Sequence, residues 1–293
     1  MNLHHLKVFL AVAEAGSISA GAEQLHISQP AVTREIRDLE ASLGLQLFER
    51  RPRGVQLTEG GERLRHYAQR IFALEQAAER DLHNFAQVES GELHLGASAT
   101  LGTYLLPTLI RQFRQQYPQI RINLGVSNTH QVTQQLDDGQ ISLGFVEGAF
   151  VREQYAHHLL ARDALLPVVS PQHPLARAKQ LNAADLQAYP LYLREPGSGT
   201  RHSIEQAYKS HGLEIEPHVA IASTEALKAL LEDACGIAWL SERSISVELT
   251  SGRLQHLSVA DLKIERELYA LWRPDSTLSP ASARFLSLCQ KAT

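Results

Sequence analysis

The segment from Ser17 to Gly61 contains the most constraining pattern of this 293-residue chain. Two short stretches with apolar residues at three- and four-residue steps follow each other closely, and an arginine-rich run comes next. This order predicts two short helices joined by a tight turn and followed by a small hairpin. The arrangement is typical of a winged helix-turn-helix, which places one helix in the major groove of DNA.

The sequence marks where three N-terminal helices begin and end. The first helix is expected to stop at Gly16, and Ser17 is expected to cap the second. Small side chains at Ala20 and Ala22 would let the helices cross closely, and Ser28 is expected to cap the third helix. The apolar face of the first helix consists of Leu3, Leu6, Phe9, Leu10 and Ala13.

The third predicted helix has one apolar face and one polar face. The residues predicted to be buried are Ala31, Val32, Ile36, Leu39 and Leu43. The outer residues are Gln29, Pro30, Thr33, Arg34 and Arg37. Glutamine can bond adenine through two hydrogen bonds, arginine can bond guanine, and threonine can contact a thymine methyl group. The outer face is therefore a candidate for reading bases, and the alternative is an ordinary solvated helix face.

The arginine-rich run predicts the wing of this domain. Residues 45–48 alternate like a strand, 49–54 would form the tip, and 55–57 the returning strand. The candidate DNA contacts at the tip are Arg50, Arg51 and Arg53. Arginines there suit phosphates or a narrow minor groove, and the alternative is a solvated charge run. Residues 1–90 contain ten Lys and Arg against twelve Asp and Glu, so positive charge must be segregated onto the DNA side.

A long helix is expected after the wing, capped by Thr58 and extending from about Glu59 to about Val88. Its apolar stripe consists of Leu64, Tyr67, Ala68, Ile71, Leu74, Ala78 and Leu82. A one-sided apolar face needs a partner. The same helix of a second subunit would supply one and would pair two DNA-binding units with two-fold symmetry. The alternative is packing against the C-terminal part of its own chain.

The remainder of the chain alternates strands and helices, which predicts α/β structure. The predicted strands are 92–97, 120–125, 141–146, 158–160, 165–169, 191–194, 219–221, 236–240 and 268–272. The predicted helices are 101–117 with a kink at Pro107, 132–138, 201–211, 224–234 and one from about 280. The last strand and helix are expected to return to the first subdomain. Two lobes with the chain crossing between them predict a cleft at the strand ends.

Polar loops are expected to face this cleft. The candidate effector-binding residues are Ser98, Thr100, Ser127, Thr129, Ser198, Thr200, Arg201 and Glu225. The segment from Arg194 to Arg201, REPGSGTR, combines hydroxyl groups, glycines and a helix start, so it predicts a cradle for an oxyanion or a carboxylate. The alternatives are an ordinary glycine-rich loop that caps a helix and, for the wall near Glu225, a plain N-cap at Thr224.

The sequence argues against enzymes, metal sites and membrane spans. G-x-S-x-G, G-x-x-x-x-G-K and G-x-G-x-x-G motifs are absent, so no catalytic residue and no bound cofactor is predicted. Cys235 and Cys289 form no metal or disulfide pattern, and the fourteen histidines are scattered. We expect a cytoplasmic protein, because the N-terminus enters a helix directly and no stretch suits a membrane. An α/β hydrolase, or an enzyme with a DNA-binding appendage, is the remaining enzyme alternative.

The N-terminal motifs resemble those of the LysR-type transcriptional regulators. The matching signature is Leu3-x-x-Leu6-x-x-Phe9, Gly16-Ser-Ile-Ser-Ala20-x-Ala22-x-x-Leu25, Ser28-Gln-Pro-Ala-Val-Thr33-x-x-Ile36, Leu39-Glu40-x-x-Leu43-Gly44, Leu47-Phe48-x-Arg50 and Leu57-Thr58-x-x-Gly61. Thr33 and Gly21 are small departures from the family pattern. The REPGSGTR loop resembles the members tied to sulfur assimilation and carbon fixation, which implies a small anionic effector.

The resemblance implies a full domain organisation. Residues 1–58 would form the winged helix-turn-helix, 59–90 the linker and dimerisation helix, and 91–293 an effector domain akin to periplasmic binding proteins. Its first lobe would comprise about 91–161 and 266–293, and its second about 162–265. A homotetramer, built as a dimer of dimers, would bind promoter DNA, and the effector would alter DNA bending or contact with RNA polymerase. The alternative is a C-terminal module for assembly or partner binding without a metabolite.

Overall fold

The computed structural model describes residues 1–51, 54–86 and 91–291 of the chain. Contacts between residues divide the chain into two compact units, Met1–Glu79 and Arg80–Thr293. Within the described ranges, every helix is too short or too polar to cross a membrane.

The N-terminal unit is a bundle of three helices followed by a hairpin and a long helix. Its elements are α1 (Leu3–Ala15), α2 (Ile18–Gln24), α3 (Gln29–Leu43), β1 (Phe48–Arg51), β2 (Gly54–Leu57) and α4 (Glu59–Ala86). Phe9, Val32 and Leu39 are completely buried in its core, because the apolar faces of α1 and α3 meet there. The winged helix-turn-helix predicted from the sequence is confirmed.

The predicted helix boundaries of this unit are confirmed by their capping groups. Gly16 ends α1 with a left-handed φ of 67°, which glycine adopts without strain. The Ser17 Oγ accepts a hydrogen bond of 3.1 Å from the Ala20 amide, and the Ser28 Oγ accepts one of 3.4 Å from the Ala31 amide. Thr58 Oγ1 accepts from the Gly61 amide at the start of α4.

The close crossing of α1 and α2 depends on Gly21 and Ala22 rather than on Ala20 and Ala22. Ala20 is exposed, so its predicted inward position is wrong. A Cβ atom on Gly21 would lie 2.9 Å from Cγ2 of Val12. Gly21, a departure from the family pattern, is therefore the residue that lets the two helices approach.

The hairpin begins three residues later than predicted. Residues 45–47 are not in a strand, because the Glu40 Oε1 accepts hydrogen bonds from the Leu47 and Phe48 amides at 2.7 and 3.3 Å. The register of β1 and β2 pairs Arg50 with Val55 and Arg51 with Gly54. Arg50 and Arg51 thus lie in a strand and not at the tip, which corrects the prediction. Arg53 lies outside the described residues.

The C-terminal unit contains one mixed nine-stranded sheet. Its strands are β3 (Glu92–Ser98), β4 (Arg121–Ser127), β5 (Leu143–Glu147), β6 (Ala156–Val169), β7 (Leu191–Arg194), β8 (Val219–Ile221), β9 (Ile237–Ser241), β10 (Gln255–His256) and β11 (Ile264–Trp272). The order is β4-β3-β5-β11-β6-β9-β7-β8, with β10 paired to β6. The pairs β3–β4, β3–β5, β7–β8 and β7–β9 are parallel, as expected where helices cross between strands.

Two strands, β6 and β11, run through both lobes of this unit. The prediction of separate strands at 158–160 and 165–169 is wrong, because β6 is continuous from Ala156 to Val169 and pairs with β11 as far as Leu165, with one irregularity. Leu160 and Leu268 belong to the core of the first lobe, whereas Leu165 and Ile264 belong to the core of the second. The chain therefore crosses between lobes within these two strands.

The helices of the C-terminal unit alternate with its strands along the chain. They are α5 (Leu106–Gln116), α6 (Thr129–Asp137), α7 (Ala183–Leu186), α8 (Gly199–Ser210), α9 (Thr224–Leu230), α10 (Glu242–Ser251) and α11 (Pro280–Lys291). The sequence pattern did not predict α7 or α10. The predicted kink near Pro107 is a wide π-helical turn at Leu101–Leu105. Ser223 rather than Thr224 caps α9, through its Oγ and the Ala226 amide.

Candidate DNA-binding face and effector cleft

The outer face of α3 presents the predicted base-reading residues to solvent. Gln29, Pro30, Arg34 and Arg37 are exposed and, with Thr33 and Asp38, line a shallow surface depression. Arg34 has only a loose ion pair, with Nε 3.7 Å from the Asp38 carboxylate, so its guanidinium is available for other contacts.

Thr33, Ser17 and Ser28, three of the predicted DNA contacts, each form a hydrogen bond within their own helix. The Thr33 Oγ1 donates to the main-chain oxygen of Gln29 at 2.9 Å, which leaves its methyl group and an oxygen lone pair for a base. Ser17 and Ser28 accept backbone N–H groups as caps, so each hydroxyl retains a hydrogen that can be donated to a phosphate.

The wing contributes Arg51 on β1, with half of its side chain exposed and its Nη2 2.8 Å from the Glu49 carboxylate. Beside it, the backbone of Arg50 is held by the ladder to β2. Arg51 can exchange the Glu49 carboxylate for a DNA phosphate with little loss of stability, because exposed ion pairs contribute little to folding.

The apolar stripe of α4 is divided between buried and exposed residues. Ala68 is completely buried, and Leu64 packs against the core of the N-terminal unit. Tyr67, Ile71 and Leu74 are 59%, 36% and 71% exposed. This stripe of apolar surface on one face of a long helix is suited to contact with a second helix.

Four of the predicted effector residues meet at the carboxyl ends of the strands in the C-terminal unit. Ser98, Thr129 and Thr200 surround Glu147, the last residue of β5. Ser98 Oγ donates to the Glu147 carboxylate, Thr200 Oγ1 lies 3.4 Å from it, and Thr129 Oγ1 donates to the Glu147 main-chain oxygen at 3.0 Å. Thr100, the fourth, joins the same cluster through an arginine.

That arginine is Arg266 on β11, whose side chain is 1% exposed. Its guanidinium donates to Thr200 Oγ1 at 2.7 Å and to Thr100 Oγ1 at 3.0 Å. It also forms an ion pair with Asp163 at 2.7 Å and lies 3.5 Å from Glu147. A single guanidinium thus links strand β6 to the end of β5, to the segment after β3 and to the start of α8.

The sequence pattern did not single out Glu147, Asp163 or Arg266 as site residues. A signal was present in β11, where Ile264, Arg266 and Leu268 alternate as inward residues. A charged residue in such an inward series requires a buried partner. Asp163 is likewise a buried residue of β6 and pairs in register with Arg266. The Ser241 Oγ donates to its carboxylate at 2.9 Å.

The predicted REPGSGTR cradle places both of its arginines against carboxylates. Arg194 is 3% exposed and bonds Glu195 at 2.8 Å, and Arg201 bonds Glu205 at 2.6 Å. Ser198 caps α8. An open cavity of about 530 Å³ lies beside this loop. Thr129, Ser198 and Arg201 line it, together with His130, Phe150 and Tyr155.

Glu225 has a different set of partners from the other candidates. Its carboxylate accepts from the Tyr104 hydroxyl of the first lobe, and Lys228 lies 2.8 Å away on α9. Burial, and then the hydrogen bond to Glu225, raises the pKa of Tyr104 to about 12. Burial tends to raise the pKa of Glu225, but hydrogen bonds from Lys228 and Tyr104 outweigh it, so that pKa is lowered.

Ser127 differs from the other hydroxyl residues. It ends β4 and pairs in register with Ser98 on β3, so both side chains leave the same face of the sheet. The Ser127 Oγ is shielded from solvent and has no hydrogen-bond partner.

Among residues 1–51, 54–86 and 91–291, no group of three or more His, Cys, Asp or Glu is placed to hold a metal ion.

The geometry defines a class of protein: a winged helix-turn-helix joined to a two-lobed α/β domain with a polar cleft. Family comparison agrees. Residues 3–62 match the bacterial regulatory helix-turn-helix proteins of the lysR family, and residues 86–293 match the LysR substrate binding domain. The chain therefore belongs to the LysR family of transcriptional regulators, which have an effector-binding domain.

Individual relatives cover nearly the whole chain. A RuBisCO operon transcriptional regulator from Allochromatium vinosum is 32% identical over 285 residues, which are 97% of this chain and 94% of that protein. Full-length CbnR, solved with its target DNA, is 25% identical with a TM-score of 0.73 and covers 100% of both chains. The regulatory domain of CcmR from Synechocystis PCC6803, solved with 2-PG, is 25% identical with a TM-score of 0.64, covering 70% of this chain and 98% of that domain.

Proposed function

We propose that α3 reads DNA in the major groove, with Gln29, Pro30, Thr33 and Arg34 at base edges. The observation that carries this proposal is the exposed face of α3, whose opposite face is anchored in the core by Val32, Ile36 and Leu39. Likeness to CbnR, solved with its target DNA, supports it. Arg37 and the capping Ser17 and Ser28 contact phosphates at the groove edges.

The wing arginines bind the sugar-phosphate backbone or the minor groove. Arg50 and Arg51 on β1 and Arg53 after it supply this sequence-independent part of the affinity. A selection from random DNA with the full-length protein tests the reading role. We expect enrichment of a dyad whose half-sites are read by α3, and the Arg34→Ala protein should accept more bases at one position of each half-site. Failure to enrich any motif would contradict this function.

The exposed stripe of α4 forms the dimer contact. Tyr67, Ile71 and Leu74 pack against the same residues of a second chain, which brings two DNA-binding units together, and two such dimers form a homotetramer. Sedimentation velocity of Leu74→Glu tests the contact, with Gln69→Glu on the exposed opposite side of α4 as control. The Leu74→Glu protein should form smaller particles, whereas the control should match wild type. Equal sizes for all three proteins would contradict this role of α4.

The C-terminal unit binds a small anionic effector between its lobes. The observation that carries this proposal is the convergence of predicted residues from both lobes on Glu147 and Arg266. Likeness to the CcmR domain solved with 2-PG supports a small ligand. In this organisation residues 1–58 bind DNA, 59–90 link subunits and 91–293 sense the effector, which changes DNA bending or contact with RNA polymerase.

A thermal-shift screen of small anions on the full-length protein tests the effector role. A specific ligand should raise the melting temperature with increasing concentration. Thr100→Ala should weaken that response, whereas Ser246→Ala, on the exposed surface of α10, should leave it unchanged. The second candidate function is an assembly module without a ligand, which the internal pairing of Arg266 with Asp163, Thr100 and Thr200 favours. A panel in which nothing binds would select that alternative.

A further inference from the structure

The ends of three neighbouring parallel strands carry two hydroxyl groups and a carboxylate side by side. β4, β3 and β5 end at Ser127, Ser98 and Glu147, and the strands are hydrogen-bonded in that order. Ligands of α/β sheets bind at the carboxyl ends of parallel strands, so Glu147 lies at the position where an effector is expected. The Glu147 residue is only 1% exposed.

The charge of Glu147 is only partly compensated. Arg266 is the near cation, and two of its nitrogens lie 2.9 and 2.7 Å from Asp163. Its closest approach to Glu147 is 3.5 Å, beyond good hydrogen-bond length. Ser98 and Thr200 therefore stabilise the Glu147 carboxylate chiefly as neutral donors. A second, fully ionised anion beside it would face repulsion in a buried setting, where charges interact strongly.

The hydrogen-bonding groups at this position favour a ligand that both donates and accepts. A carboxylate has room for about four hydrogen bonds, and Glu147 receives only a few from the protein. The Ser127 Oγ, paired in register with Ser98, has a hydroxyl hydrogen without an acceptor. An acidic group that bridged the two residues above Ser98 would donate one O–H to Glu147 and would accept from Ser127 through another oxygen.

We propose that Glu147 determines effector specificity by accepting a hydrogen bond from an O–H group of the effector. The ligand class is a small oxyacid that keeps at least one O–H at neutral pH, and anions without a donor hydrogen are rejected. This inference rests on the proposed effector role of the cleft. Glu147 would select effectors that carry an O–H group. The hydroxyl residues and Arg266 could not make this selection, because they donate hydrogen bonds to anions with and without an O–H.

Inorganic phosphate and sulfate are matched probes, because both are tetrahedral and only phosphate keeps an O–H at neutral pH. Calorimetric titration of the full-length protein should give a phosphate affinity at least about tenfold above that of sulfate, the equivalent of one charge-assisted hydrogen bond. Glu147→Gln should remove this preference, because its amide donates to sulfate oxygens. Glu265→Gln makes the same chemical change at an exposed position of β11 and should leave the preference intact.

Ser127→Ala provides a second variant that removes only the unpartnered hydroxyl, so its folding should not suffer. It should weaken phosphate binding by about tenfold, the loss of one hydrogen bond to a charged oxygen. Equal affinities of the wild type for both anions, or no detectable binding of phosphate, would overturn the proposal. An anion without O–H that binds the cleft and alters operator binding would also overturn it, while leaving the effector role itself standing.

Discussion

On the proposed DNA-binding face of α3 the charged side chains are exposed, whereas in the proposed effector cleft they are buried and paired with one another. The Arg34 side chain is 83% exposed, and that of Arg266 is 1% exposed. Arg34 contacts its neighbour on the same helix, while Arg266 connects Thr100, Asp163 and Thr200, which belong to different elements.

On the α3 face, a side chain can therefore be changed with an effect on function and little effect on stability. In the cleft, a change of a charged side chain affects both. An exposed cation contributes little to folding, so its loss should affect DNA binding alone. A buried cation that neutralises carboxylates cannot be removed without leaving those charges uncompensated. The N-terminal unit should therefore tolerate changes on its functional face, whereas changes in the cleft should alter both stability and ligand binding.

The largest effect is expected for Arg266→Ala. Asp163 and Glu147 would lose their buried counter-charge, and the free energy of unfolding should fall by about 3–5 kcal/mol, measured by urea denaturation. Arg162→Ala, an exposed arginine on the neighbouring strand β6, should cost less than about 0.5 kcal/mol. Similar losses for both variants would show that the cleft network is no more important to folding than a surface pair.

A smaller effect, limited to DNA binding, is expected for Arg34→Ala. Operator affinity should fall by about 1–3 kcal/mol and discrimination at one base should relax, as measured by fluorescence anisotropy on single-base operator variants. Because Arg34 is exposed, the unfolding curve should be unchanged. Arg63→Ala on α4, with a similarly exposed side chain, is the control. Unchanged operator affinity in Arg34→Ala would remove that residue from the DNA contact.

The wing should show a still weaker and less specific response. Arg51→Ala, and likewise Arg53→Ala, should reduce the affinity for all DNA sequences and lower the slope of log affinity against log salt by about 1. Titrations at several salt concentrations with operator and unrelated DNA measure this. A loss confined to the operator would mean that the wing reads bases instead.

The smallest effect is expected at Glu225, where the two lobes meet through Tyr104. The pKa of Glu225 is lowered in the folded protein, so its contribution to stability is present above its ordinary pKa of 4.5 and is lost as the pH falls below that value. Glu225→Gln should flatten the acid side of the stability profile. The side chain is 64% exposed, so solvent screening limits the difference to about 0.5 kcal/mol or less. An unchanged profile would assign the acid sensitivity to other groups.

The sequence predicted the N-terminal unit well because its signals are local. The caps at Ser17 and Ser28 and the stop at Gly16 each involve residues three or four positions apart. The errors there arose from contacts across the unit. Glu40, for example, holds the Leu47 amide seven residues away and delays the start of the hairpin.

The cleft could be predicted only in outline. The loops carrying Ser98, Thr129 and Thr200 were placed correctly at strand ends, because an alternating α/β pattern fixes where those ends lie. The residue that joins them was missed, since Arg266 contacts Asp163 and Thr100 across 103 and 166 positions of sequence. Periodicity shows that Arg266 points inward, but only the assembled sheet shows what it meets.

The most direct test of the account is footprinting of the full-length protein on DNA upstream of its own gene, with and without a panel of small anions. We predict protection of a dyad by the exposed α3 faces, and a changed pattern with one anion that binds the buried cleft. Protection that no anion alters would contradict the effector role of the cleft. Absence of any protected dyad, there or on DNA selected by the protein, would contradict the DNA-reading role of α3.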